Sequence, residues 1–171
     1  MKKTLLTVAI TTTALFSNAS LANNDMYIGA SYDMMTIDVA GTDADSEVIT
    51  LKAGKYITDN IGFEVVYGTG ISDSSADVGV KNYYGAYLVG INPITDKIGL
   101  TAKIGWAKTT LESSIAQYKE KSDDAYSLGV GAEYQVAKQV SLSIDFTKLH
   151  KSDITNIDDI KGFTLGAKYT F

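Results

Sequence analysis

The chain has 171 residues, room for one domain, and a net charge of −5 at pH 7 with no arginine. That acidic balance excludes nucleic acid as a partner, because such binding needs a basic patch, and the lack of cysteine excludes a disulfide framework. Eleven Tyr and fifteen Gly beside a single Pro favour β structure over disorder.

The first segment reads as an export signal. Lys2 and Lys3 precede a short apolar run, Leu5 to Phe16, diluted by Thr11, Thr12 and Thr13. Ser20-Leu21-Ala22 then places small residues where a signal peptidase reads, so residues 1–22 are expected to be a cleaved signal peptide and 23–171 the mature domain. The run is too short and too threonine-rich for a membrane helix.

From Met26 onward, apolar residues recur with period two between turn residues, the signature of strands. The first strand is expected over Met26–Val39, with Ile28, Ala30, Tyr32 and Met34 on one face and Tyr27, Gly29, Ser31 and Asp33 on the other. The second, Glu47–Ile57, sets Ile49, Leu51 and Ala53 against Thr50, Lys52 and Gly54. The third, Ile61–Gly70, sets Phe63, Val65 and Tyr67 against Gly62, Glu64 and Gly68. The fourth, Lys81–Asn92, has two competing apolar faces; Tyr83, Tyr87, Val89 and Ile91 are the expected one, against Tyr84, Ala86 and Leu88. The fifth, Lys97–Thr110, sets Ile98, Leu100, Ala102, Ile104 and Trp106 against Gly99, Thr101, Lys103 and Gly105. The sixth, Ala125–Val136, sets Tyr126, Leu128, Val130 and Tyr134 against Ser127, Gly129, Gly131 and Glu133. The seventh, Val140–Leu149, sets Leu142, Ile144 and Phe146 against Ser141, Ser143 and Asp145. The eighth, Ile160–Phe171, sets Phe163, Leu165, Ala167, Tyr169 and Phe171 against Thr164, Gly166 and Lys168.

Connections alternate between short (58–60, 93–96, 137–139) and long and polar (40–46, 71–80, 111–124, 150–159). That is the pattern of an all-β, eight-stranded antiparallel up-and-down transmembrane barrel, with tight periplasmic turns and larger outer loops. The polar face chooses between such a barrel and a water-soluble container. It is mostly Gly, Ser and Thr, which suits a crowded interior, whereas a solvated face would carry more Lys and Glu and less strand-weakening Gly. The opposite face, rich in aromatic residues, suits lipid and its interfaces. Closure of the eighth strand on the first is then required, since an open edge leaves backbone groups unpaired in hydrocarbon.

The inward charges would be Asp33, Lys52, Glu64, Lys103, Glu133, Asp145 and Lys168. The expectation is a connected network plugging the lumen. Its pairs would be Lys52 with Glu64, Lys103 with Glu133, and Lys168 between Asp145 and Asp33.

The segment Leu51–Ile57, the Thr58-Asp59-Asn60 turn and Ile61–Gly68 resemble the small outer-membrane β-barrel family that includes the OmpA transmembrane domain and OmpX-like proteins. Tyr87–Lys97 followed by Leu100–Trp106 fits it as well. The resemblance covers the whole expected mature chain. It implies that Phe163, Leu165, Tyr169 and Phe171 form the terminal signal read by the barrel assembly machinery. It also implies outer-membrane lipid and lipopolysaccharide as partners. The cell-wall domain of OmpA is not expected, because the barrel reaches the last residue.

No catalytic, cofactor or metal site is expected. His150 has no Ser or Cys nucleophile in a recognisable frame, and Gly129-Val-Gly131 precedes no helix and so is not a nucleotide loop. Asp43 and Asp45, Asp123-Asp124 and Asp158-Asp159 make the outer loops acidic, without EF-hand spacing. The functional expectation is a non-enzymatic outer-membrane protein with a structural or adhesive role through four loops, its surface ligand unidentified. The alternatives are a narrow pore and a secreted carrier.

Overall fold

The computed structural model describes residues 26–39, 42–71, 78–113, 121–150 and 157–171. The expected signal peptide and the centres of three long connections lie outside these residues. Eight strands follow in order: β1 Met26–Val39, β2 Thr42–Thr58, β3 Ile61–Gly70, β4 Val78–Pro93, β5 Ile98–Ser113, β6 Lys121–Ala137, β7 Val140–His150 and β8 Ile157–Thr170. Each pairs antiparallel with its sequence neighbour, and β8 pairs with β1 from Tyr27↔Thr170 to Val39↔Ile157. The barrel is closed, as the backbone-pairing requirement demands.

Two of the short turns share one device. Thr58 Oγ1 accepts the amides of Asn60 (3.3 Å) and Ile61 (3.0 Å), and Thr95 Oγ1 accepts those of Lys97 (3.3 Å) and Ile98 (3.0 Å). Such hydroxyl-to-backbone bonds hold a turn tight without a backbone partner. Asn60 Nδ2 also donates to Ile91 O at 2.9 Å, tying this turn to β4.

At the other end the strands are longer than the sequence pattern predicts. Val39 pairs with Thr42, so most of the segment expected as the first long loop is paired strand. Thr36 Oγ1 donates to Asp45 Oδ1 across that ladder at 2.9 Å. The difference has a physical reason: a strand with both faces away from lipid loses its apolar alternation, and its sequence then reads as loop.

The faces fall as expected on seven strands. Leu51, Phe63, Leu100, Ile104, Leu128, Ile144 and Leu165 are exposed on the outside. β4 is the correction: Tyr83, Tyr87 and Val89 are buried inside, while Tyr84 and Leu88 face outward. Gly85 shares the inner face of Tyr83 and Tyr87, where a Cβ would meet the Tyr87 ring at 2.9 Å. The two Tyr hydroxyls are hydrogen-bonded to one another inside the barrel, which offsets part of the cost of burying them.

Along the same strands the polarity inverts. Near the short-turn end the inside holds Tyr, Gly, Ser, Thr and paired charges, and the outside is apolar. Near the long-loop end the inside becomes an apolar cluster that includes Met35, Ile37, Val48, Val80, Leu149 and Ile160, with Ile37 and Val48 at 0% exposure. There the outside turns polar: Lys108 pairs with Asp124 at 3.7 Å, and Thr110 Oγ bonds Ser122 Oγ at 3.1 Å. A bulge between Val80 and Asn82 shifts the alternation so that Val80 reaches the inside. One continuous sheet is thus inside-polar over one stretch and inside-apolar over the next. Replacing Ile37 by Ala should therefore destabilise the protein by about 2–5 kcal/mol, the cost of a cavity in a packed core. Urea unfolding in lipid vesicles reads this directly, and a change near zero would show that the outer interior is wet.

Candidate functional site

The inside is the first place to look for chemistry, because there the chain encloses charge. All seven expected charges face inward. Glu64, on β3, is gripped from two directions: Lys103 Nζ lies 3.2 Å from Oε1, and Tyr27 OH donates to Oε2 at 3.0 Å. Lys103 Nζ also lies 3.7 Å from Asp145 Oδ1, which accepts from Thr101 Oγ1 at 3.3 Å. Lys52 Nζ approaches the other oxygen of Asp145 at 3.9 Å. Asp33 accepts a hydrogen bond from Thr50 Oγ1. Closer to the chain termini, Lys168 Nζ meets Glu133 Oε2 and Tyr56 OH, each at 2.6 Å, and lies over the rings of Tyr27 (4.7 Å) and Tyr56 (5.1 Å).

The pairings differ from those expected. Glu64 takes Lys103 rather than Lys52, Lys52 turns to Asp145, and Glu133 takes Lys168 rather than Lys103. Register explains the change. Lys103 sits opposite Gly129 on β6, while Glu133 sits opposite Gly99. Four residues of strand separate them, ~13 Å at the usual rise. Inward side chains converge on the axis, so three of the four ion pairs join strands two apart in the barrel: β3 with β5, β5 with β7, and β6 with β8.

Two cavities of about 40 and 30 Å³ flank this layer, and Lys52, Glu64, Lys103 and Asp145 border both. Each is large enough to hold ordered water. Sequence reasoning missed the tyrosines and hydroxyls that complete the layer: Tyr27, Tyr56, Thr50 and Thr101. Their inward parity beside Gly29, Gly54 and Gly99 was the available signal. It also missed the apolar cluster at the long-loop end. There the inward series on β1, β2, β7 and β8 changes from small or polar residues to Ile37, Val48, Leu149 and Ile160.

On the outside, Tyr84 and Trp106 meet edge-on with ring centroids 6.1 Å apart, just below Lys108. At the opposite border Tyr169 and Phe171 meet edge-on at 5.3 Å, and the Phe171 amide donates to Met26 O at 2.9 Å. Phe163 and Leu165 point outward above them. Aromatic rings thus mark both edges of the apolar band, the placement favoured at lipid–water boundaries. His150 ends β7, and Asp45 and Asp124 lie at the polar outer end.

Residues 5–171 match the family described as outer membrane protein beta-barrel domain. Among solved structures, Neisserial surface protein A is similar with a TM-score of 0.66 at 16% identity, covering 85% of this chain and 97% of that one. Ail, the attachment invasion locus protein of Yersinia pestis, aligns at 0.61 and 16% identity, covering 87% and 99%. OprH of Pseudomonas aeruginosa aligns at 0.57 and 17%, covering 86% and 99%. At these identities the likeness is one of fold. No curated protein matches the chain in sequence.

The ion-pair geometry makes a specific prediction. Glu64→Gln leaves Lys103 with one carboxylate fewer in a buried site and should cost about 3–5 kcal/mol. A double-mutant cycle of Glu64→Gln with Lys103→Met should show strong coupling, as should Glu133→Gln with Lys168→Met. A cycle of Lys103→Met with Glu133→Gln should be additive within about 0.5 kcal/mol. Coupling in that last cycle would restore the pairing expected from sequence.

Proposed function

This chain belongs to the outer membrane protein β-barrel family, and on that premise we propose that it is a sealed, non-enzymatic barrel of the Gram-negative outer membrane that acts through its outer surface. The observation that carries this reading is the double closure of the lumen. A charged layer around Lys103, Glu64 and Asp145 leaves cavities of only about 40 and 30 Å³, and above it the interior is packed with apolar side chains. A hydrated ion meets a desolvation cost at the first barrier and again at the second. The narrow-pore reading has no comparable support.

Export follows from removal of residues 1–22, leaving 23–171 to fold as the barrel. Phe163, Leu165, Tyr169 and Phe171 serve as the signal for the assembly machinery, and lipopolysaccharide surrounds the outer rim. The extended strands carry four connections clear of the membrane, where loops bear function on a rigid scaffold. Those connections are acidic: Asp43 and Asp45, Asp73 and Asp77, Asp123 and Asp124, Asp158 and Asp159. One Ail structure is a complex with the heparin analogue sucrose octasulfate. The acidic ends of the present chain favour a basic partner over such a polyanion, because like charges repel at close range.

Cell fractionation, planar-bilayer recording and charge neutralisation test the reading together. The protein should leave the outer membrane only with detergent, show no conductance steps, and lose binding to immobilised basic protein when Asp43, Asp45, Asp73, Asp77, Asp123, Asp124, Asp158 and Asp159 are replaced by Asn. Stepwise conductance would sink the sealed-barrel reading. Unchanged binding after neutralisation would sink the surface role.

A further inference from the structure

One ladder of the barrel joins strands that are not neighbours in sequence. It pairs β8 with β1, from Tyr27↔Thr170 to Val39↔Ile157, and closes the sheet. Every other ladder joins strands linked by a single connection. The seam instead brings the two ends of the barrel sequence together, so it closes the longest loop and carries the largest entropic cost of closure. Side chains that reach across it act where closure is hardest.

Lys168, on β8, reaches across in this way. It stands opposite Gly29 of β1, where a Cβ would come within 2.7 Å of Ala167 O, so any larger residue at Gly29 would crowd the approach. Beyond β1, Lys168 Nζ donates to Tyr56 OH of β2 at 2.6 Å and lies over the rings of Tyr27 (4.7 Å) and Tyr56 (5.1 Å). Those two rings meet one another with centroids 5.3 Å apart. On the β8 side of the seam, Glu133 Oε2 of β6 accepts from the same ammonium at 2.6 Å. One cation is thus held by a carboxylate on one side and by a phenol oxygen and two aromatic faces on the other. Lys52 of β2 also faces Asp145 of β7 across the seam, but at 3.9 Å, outside hydrogen-bond reach.

We propose that Lys168, Tyr27 and Tyr56 form a latch across the β1–β8 seam, which captures the last strand in register as the barrel closes and then holds the short-turn end of the seam shut. The inward parity of Lys168 makes the latch selective. A slip of β8 by one residue would turn Lys168 outward. A slip of two would carry it ~7 Å along the strand, away from the phenol oxygen and both rings. The latch also lies where it has most to do. The seam ladder ends at Tyr27↔Thr170, within two residues of Lys168, and ladder ends are the first parts of a sheet to open.

The test folds the full barrel into phosphatidylcholine vesicles and follows amide hydrogen exchange by mass spectrometry. It compares the seam, residues 27–31 and 166–170, with the β3–β4 ladder, residues 62–68 and 83–89. Lys168→Met removes the cation and keeps the stem. Tyr56→Phe keeps the ring and removes only the phenol oxygen, so it serves even if the first variant folds poorly. Heat-modifiable migration confirms that each variant is folded. Each should speed exchange at the seam by about tenfold, the loss of a charge-assisted hydrogen bond, and leave the β3–β4 ladder unchanged. Lys168→Arg, which keeps a cation for the rings and the carboxylate, should stay closer to wild type than Lys168→Met. Wild-type exchange at the seam in both variants would overturn the latch, because the ladder would then hold by itself. A rise shared equally by the β3–β4 ladder would overturn it too, since Lys168 would then support the barrel as a whole and not its seam.

Discussion

The constraint on which everything else depends is that hydrocarbon offers the backbone no hydrogen-bond partner. Each unpaired N–H or C=O in lipid costs several kcal/mol, so the sheet has to close, and the Tyr27↔Thr170 to Val39↔Ile157 ladder closes it. Closure with eight strands leaves an interior only as wide as the side chains that fill it. Small residues are therefore required inside wherever the Tyr rings and lysine stems lie, which is why Gly54 abuts the Tyr27 ring and Gly85 the Tyr87 ring. Much of the inward-facing glycine follows from the barrel's width.

A closed sheet that extends past the membrane must change solvent partway up. Inside the bilayer, the cheapest arrangement puts apolar side chains outward and satisfies polar ones within. Above it, water takes the outward face and the hydrophobic effect pulls apolar residues in. The strands make this exchange without a break in pairing. On β1 the inward series runs Tyr27, Ser31, Asp33, then Met35 and Ile37. On β7 it runs Ser141, Asp145, then Leu149. The apolar cluster at the outer end packs the interior of the projecting strands.

Strand number, order, closure and the lipid face of seven strands were legible in the alternation itself, because a half-buried strand has to repeat with period two. β4 was not, since Tyr is apolar by its ring and polar by its hydroxyl and fits either face; Gly85 between Tyr83 and Tyr87 was the decisive residue. The outer strand ends were illegible for the opposite reason. Where water replaces lipid, Thr42 to Glu47 carry the composition of a loop while pairing as a strand. The identities of the lumen charges were readable from parity. Their partners were not, because pairing depends on stagger and on reach across the axis. Lys103 finds Glu64 and Asp145 on strands two away, a relation no linear spacing encodes.

That cross-lumen pairing bears on why charges are buried at all. An apolar interior of the same volume would often be as stable, since a buried ion pair loses much of its attraction to desolvation. What the charges add is register. A slip of one residue along β5 turns Lys103 outward into lipid, where a lysine at mid-depth costs about 2–4 kcal/mol, and brings Ile104 inside. A slip of two keeps the faces but parts Lys103 from Glu64 and Asp145, leaving all three buried with weakened partners. Because each pair joins non-adjacent strands, an error in one ladder is felt in others, and the correct stagger is fixed collectively. The lumen charges thus act on the choice of one barrel among near-alternatives.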